Sequence, residues 1–159
     1  MSSSYPASGV RHPPSEFMSL ALEEARQAAA SGDVPVGAVI ERRGEVLAAA
    51  GNEREHRRDP TAHAEILAIR QAAQRLGGWR LTGCNIYITI EPCPMCAGAI
   101  YQARIDKIFY GAPDAKAGAA GTLMDIVGDP RLNHRVTVTG GILAEESASM
   151  LREFFLTRR

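Results

Sequence analysis

Two short runs constrain this chain more than any others: Thr61-Ala62-His63-Ala64-Glu65 and, thirty residues on from His63 to Cys93, Glu91-Pro92-Cys93-Pro94-Met95-Cys96. One imidazole and two thiols are good ligands for a zinc ion, whose borderline softness suits nitrogen and sulfur together. Two junctions between strand and helix are expected to aim these distant ligands at one point. The motif therefore restricts the fold as well as the chemistry. Structural zinc sites usually close with a fourth protein ligand, whereas catalytic sites leave that position to water. Glu65, two residues after the histidine, is the carboxylate such a water would need.

Hydrophobic periodicity and turn residues place the elements around these runs. Residues 1–13, rich in Ser, Pro and Gly, read as a disordered arm, and 14–159 as one domain. Ser15 is the expected N-cap of a first helix with Met18, Leu22, Ala25 and Ala29 on its apolar face and Gly32 at its end. The run 34–40, a turn at Arg43-Gly44-Glu45 and the run 46–50 predict a hairpin. The charged stretch 52–59 reads as a solvated loop. A helix is predicted over 63–76, with Ile66, Leu67, Ile69 and Ala73 facing inward and Gly77-Gly78 stopping it. His63 and Glu65 fall in its first turn, where a carboxylate is favoured.

Within 81–90, Asn85-Ile86-Tyr87-Ile88-Thr89-Ile90 reads as a buried strand, and 93–103 as a helix with both thiols at its start. A helix N-terminus lowers thiol pKa and so helps to supply thiolates. A short strand over 107–110, a glycine- and alanine-rich loop over 111–121 and a last strand over 135–139 follow. A helix over 145–157, with Met150, Leu151, Phe154 and Phe155 on one side, completes the chain. Strands mixed with helices make this an α/β chain, a hairpin feeding a sheet with parallel crossovers.

Composition narrows the function classes. At 159 residues, 45% of them hydrophobic and 23% charged, the chain has the size for one domain with a real core. Eighteen basic and eighteen acidic residues cancel. That argues against a protein that coats nucleic acid non-specifically, yet leaves room for a local basic patch. No apolar run approaches the roughly 20 residues of a membrane span, and the first ten residues lack the features of a signal peptide. A cytoplasmic protein with no membrane partner is expected. Three cysteines, two of them in a C-x-x-C, fit metal or thiol chemistry better than a disulfide framework. Cys84 is expected to pack as a small buried hydrophobe.

A C-x-x-C alone serves as a structural clip or a redox pair, but a redox pair uses neither His63 nor Glu65. A structural zinc module would need a fourth ligand, for which His56, His12 and His134 are the candidates. With three ligands, zinc would hold one water and draw its pKa towards about 7. Glu65 could then pass the water's proton to a ring nitrogen and on to a departing amine. His-x-Glu followed by Pro-Cys-x-x-Cys is the signature of the zinc nucleobase deaminases.

Beyond that signature, residues 15–159 closely resemble the bacterial tRNA-specific adenosine deaminases (TadA). The resemblance is carried by Val34-Pro35-Val36-Gly37-Ala38-Val39, by the run 59–65 and by the run 91–99. The run 114–125 and Leu132-Asn133-His134-Arg135 are more telling, because guanine deaminases of the same superfamily can share Pro-Cys-Pro-Met-Cys.

The resemblance implies a cytidine-deaminase-like fold, a three-layer α/β/α arrangement whose central mixed β-sheet is flanked by helices. It also implies a homodimer and one zinc ion per subunit. The implied reaction converts adenosine to inosine at the wobble (first anticodon) position of a tRNA, typically an arginine tRNA. His63, Cys93 and Cys96 become the metal ligands and Glu65 the proton shuttle. Asn52, Val36, Ala64, Ile90 and Asp114 become the substrate contacts. A neutral chain that binds an anticodon loop needs a local basic surface. Arg54, Arg57, Arg58, Lys116, Arg152, Arg158 and Arg159 are the candidates for it, with Phe154 and Phe155 from the last helix.

Overall fold

The computed structural model describes residues 12–158; the arm expected over 1–13 lies outside them except for its last two residues, as does Arg159. In chain order the elements are α1 (Pro14–Ala30), β1 (Gly37–Arg42), β2 (Glu45–Gly51), α2 (Arg54–Arg57) and α3 (Ala64–Leu76). They continue with β3 (Asn85–Ile90), α4 (Pro94–Gln102), β4 (Lys107–Ala112), β5 (Thr137–Thr139) and α5 (Ala144–Thr157). The five strands form one mixed sheet in the order β2-β1-β3-β4-β5. β1 runs antiparallel to β2 and β3, while β3, β4 and β5 are mutually parallel.

Side chains alternate across the strands and sort the helices into two layers. Ala38, Ile40, Ile86, Ile88 and Ile108 point to one face and pack with Ala64, Leu67 and Ala68 of α3 and Ala97 and Ile100 of α4. Val39 and Tyr87 point to the other and pack with Phe17, Met18 and Ala21 of α1. The Tyr87 ring lies between Phe17 and Phe109, with centroids 5.0 and 4.8 Å away. α5 covers the β4 side of this second face. The result is the three-layer α/β/α sandwich with a mixed central sheet. No helix among the described residues is long and apolar enough to cross a membrane.

Several boundaries differ from the sequence-based expectation, each for a local reason. The first helix begins at Pro14, with Pro13 rather than Ser15 in the cap position, because a proline at the first helical position lacks only a donor that has no partner there anyway. Its buried stripe runs through Phe17 and Ala28 instead of Ala29. The hairpin turn is confined to Arg43 and Gly44, with φ of 53° and 83°, so pairing resumes at Glu45. The segment expected to be a plain solvated loop contains the short helix α2, ended by Arg58 at φ 51°. The third strand, by contrast, spans the expected Asn85–Ile90, after Leu81–Cys84 closes a turn through Gly83 at φ 82°. The last strand begins at Thr137 rather than residue 135.

One edge of the sheet gathers four chain segments. Gly37 at the start of β1 pairs with Gly51 at the end of β2, and Ile90 at the end of β3 pairs with Ala112 at the end of β4. β1 opposes the other two in direction, so its beginning lies beside their ends. Helix α1 presses directly on this corner. A Cβ on Gly37 would overlap the Ala21 carbonyl, and one on Gly51 would lie 2.6 Å from the Glu24 carbonyl oxygen. Gly37→Ala is expected to destabilise the fold by about 3 kcal/mol, because backbone rather than a flexible side chain must move. Urea unfolding with an unchanged m-value would measure this; a loss below about 1 kcal/mol would contradict the close approach.

Candidate active site

Two helix N-termini converge at that edge. His63 is the residue before α3 and Cys93 the residue before α4, both with extended backbone, at ψ 151° and 173°. Cys96 stands in the first turn of α4 and is fully buried. His63 Nδ1 lies 3.7 Å from Cys93 Sγ and 3.5 Å from Cys96 Sγ, and the three ligand atoms lie within 4.8 Å of one another. Tetrahedral bonding at usual zinc–sulfur and zinc–nitrogen lengths separates such atoms by about 3.6 Å. The residues therefore fit a metal ion.

Among the described residues no fourth histidine, cysteine or carboxylate joins the group. His134 bonds the Ile105 carbonyl, His12 bonds Glu16, His56 sits on α2 away from the triad's pocket, and Cys84 is buried elsewhere in the core. His63 follows the loop after α2 rather than a strand, so one of the two expected strand-to-helix junctions is instead a helix-loop-helix passage.

Glu65 is 3% exposed. Burial pushes its carboxyl up to about 7, with the N–H at the start of α3 pulling the other way. The two thiols share a proton. The hydrogen bond from Cys96 pulls Cys93 down to about 4, while the same bond, together with burial, pushes Cys96 well above the ordinary thiol value. The His63 imidazole rises, first through its bond to Cys93. A bound metal would displace these protons, since it takes thiolates and a neutral imidazole.

The triad opens into a cavity of about 390 Å³. Val36, Asn52, Ile90 and Asp114 line it, as do Arg54, Lys116 and Phe155. Val34, Glu91, Ala117 and Leu151 also face it, none of which the sequence reading selected. Ala64 is fully buried and contributes through its backbone: its N–H donates to Asn52 Oδ1 at 2.8 Å. Asn52 Nδ2 donates to the Val34 carbonyl at 3.2 Å, so one amide N–H remains for a ligand.

Asp33, buried and unremarked in the sequence, accepts the Val34 and Glu55 N–H groups at 2.8 and 2.9 Å. It stands 3.6 Å from the Arg54 guanidinium and so fixes α2 beside the cavity. A buried Asp in the short link between α1 and β1 has no sequence signature.

The remaining basic candidates lie elsewhere. Arg57 pairs with Glu53, Arg152 with Glu145, and the Arg158 guanidinium covers the Phe154 ring at 4.6 Å on the side of α5 that faces α1. Arg58 is exposed at the end of α2.

Two substitutions separate metal binding from proton transfer. Cys93→Ser should lower the metal content measured by elemental analysis, and full occupancy would remove Cys93 from the ligand set. Glu65→Gln should keep the metal and lose about 10²–10⁴ in turnover; activity within about tenfold of wild type would exclude Glu65 as the proton carrier.

Residues 14–159 match the family described as MafB19-like deaminase. The tRNA-specific adenosine deaminase of Bacillus subtilis is 47% identical over 139 residues, covering 87% of this chain and 86% of that protein. A solved structure from biochemical and structural studies of A-to-I editing by tRNA:A34 deaminases at the wobble position of transfer RNA aligns with a TM-score of 0.83. It shares 46% identity over 86% of this chain and 99% of its own. A guanine deaminase from Nitrosomonas europaea aligns at TM-score 0.80 with 26% identity, covering 92% of this chain and 86% of its own. The fold, the His-x-Glu and Cys-x-x-Cys geometry and these identities agree: the chain belongs to the tRNA-specific adenosine deaminases, within the MafB19-like deaminase family.

Proposed function

We propose that this enzyme converts adenosine to inosine at the first anticodon position of a tRNA, with an arginine tRNA as the first substrate to test. In this reading it uses one zinc ion per subunit, held by His63, Cys93 and Cys96. The observation that carries the reading is a three-ligand group with a buried carboxyl beside it at the base of a cavity. Zinc held there would supply a water of lowered pKa at its open position.

The chain's own residues account for the rest. Glu65, raised by burial, takes the water's proton and delivers it to a ring nitrogen of the base. It then hands a proton to the departing amine. The water's oxygen bonds to the amine-bearing carbon, its second proton is the one that Glu65 gives the amine, and the carbon–nitrogen bond breaks so that ammonia leaves a carbonyl behind. Asn52 holds the base edge with its remaining N–H and at the same time ties the start of α3 to the segment before β1. Val36 and Ile90 supply apolar walls.

A paired adenine cannot present its amine-bearing carbon to a buried group, whereas an anticodon-loop base is splayed out at low cost. Arg54 and Lys116 line the cavity and suit the flanking phosphates. The protein acts in this reading as a cytoplasmic homodimer. Free guanine is the alternative substrate, favoured by the similarity to a solved guanine deaminase.

The test is deamination of an anticodon stem-loop carrying adenosine at its first anticodon position, beside free guanine and cytidine. Inosine in the RNA alone is the expected outcome; ammonia from guanine with unaltered RNA would overturn the reading. Arg54→Ala and Lys116→Ala should each weaken stem-loop binding and reduce the slope of log K against log salt by about 1. Unchanged slopes in both would remove these residues from the phosphate contacts.

A further inference from the structure

Glu91 is a buried carboxylate that neither the metal group nor the proton transfer uses. It is 1% exposed and lies between β3 and the ligand Cys93. One oxygen accepts the Asp114 N–H at 3.1 Å and the Thr122 hydroxyl at 2.5 Å. The other accepts the Ala120 and Thr122 N–H groups at 3.0 and 3.1 Å. Four donors converging on one side chain require acceptor capacity on both oxygens, which a carboxylate has and a carboxamide lacks.

The donors all belong to the segment that leaves β4. Its backbone returns to the same junction twice more, through Glu91 N–H to the Ala112 carbonyl and Ala119 N–H to the Pro92 carbonyl, both at 2.9 Å. Gly118 permits the approach. A Cβ there would lie 2.5 Å from the Glu91 carboxyl carbon and 2.5 Å from the Asp114 carbonyl oxygen. The segment tied down in this way carries Asp114, Lys116 and Ala117 into the cavity. Asp114 Oδ1 in turn accepts the Lys116 and Ala117 N–H groups at 3.0 and 3.2 Å, so the cavity-lining turn hangs on the residue whose own N–H Glu91 holds.

We propose that Glu91 is a positioning residue that holds the 114–122 segment as a preformed wall for the substrate nucleotide. The wall stands before substrate arrives, so ordering it costs nothing at the moment of binding. Glu65 and the metal ligands stand on α3 and α4 instead, so loosening the wall weakens capture of the RNA and leaves the chemical step in place. This inference rests on the adenosine-deaminase reading of the cavity.

The test measures kcat and KM on the anticodon stem-loop for the metal-replete enzyme and its Glu91→Gln, Thr122→Val and Gly118→Ala variants. Metal content and melting temperature are recorded for each. KM should rise about tenfold in Glu91→Gln and less in Thr122→Val, with kcat within about threefold of wild type. Amide exchange at Ala120 and Thr122 should quicken in parallel. If Glu91→Gln fails to fold or loses metal, Thr122→Val and Gly118→Ala must carry the same KM signature. Unchanged KM in folded, metal-replete variants, or a fall in kcat at constant KM, overturns the proposal. If the wild type leaves the RNA unaltered, the substrate reading fails by itself. Amide exchange then still decides the loop tie, and unchanged exchange in Glu91→Gln overturns it.

Discussion

The approach of His63 to Cys93 and Cys96, within 4.8 Å across thirty residues of sequence, is the contact around which the rest of the molecule is arranged. It requires the beginnings of α3 and α4 to lie side by side, and the sheet provides this by covering one face with both helices. Neither helix caps itself with a side chain; the two cap positions are held by His63 and Cys93, members of the group that could hold a metal ion. The backbone N–H groups at both termini create a positive environment suited to thiolates and to the Glu65 carboxylate. Burial opposes that ionisation, and Glu65 sits between the two effects, near neutrality.

Backbone donors also hold two other buried acids. Asp33 and Glu91 are each almost without solvent, and each is bonded by backbone N–H groups from a segment that borders the cavity. A buried charge left unpaired is expensive, so both segments are held where their donors are used. The arginines behave differently. Arg57 and Arg152 pair with nearby acids, and Arg158 lies over Phe154; among the described residues, Arg54 and Lys116 are the lysine or arginine side chains that line the cavity.

What could be read in the sequence was what depends on local pattern. The alternation of Asn85-Ile86-Tyr87-Ile88-Thr89-Ile90, the stripe of α1 and the spacing of His63, Glu65, Cys93 and Cys96 all encode direction within one or two turns. What could not be read depends on distant partners. The four residues of α2 are too few for a periodic signal, and their start is fixed by Asp33, 22 residues before Glu55. Glu91 looked like part of a zinc signature, while its donors come from as far on as Thr122. Leu151 read as part of an ordinary apolar stripe; only the packing of α5 beside the sheet edge brings it to the cavity, next to Phe155, which the family resemblance had put forward. The stripe itself is incompletely buried, with Phe155 55% exposed.

The cavity is assembled in two parts of different origin. Its reactive floor belongs to two helices locked against the sheet, and its walls belong to the segment before β1, the end of β3, the segments that leave β2 and β4 and one face of α5. Insertions or exchanges in the wall segments would reshape the opening without moving His63, Glu65 or the thiols. Descent from one ancestor could therefore change which base is accepted while the hydrolytic apparatus stayed fixed. Adenosine and guanine deaminases that share this backbone at 26% identity are what such a division of labour allows.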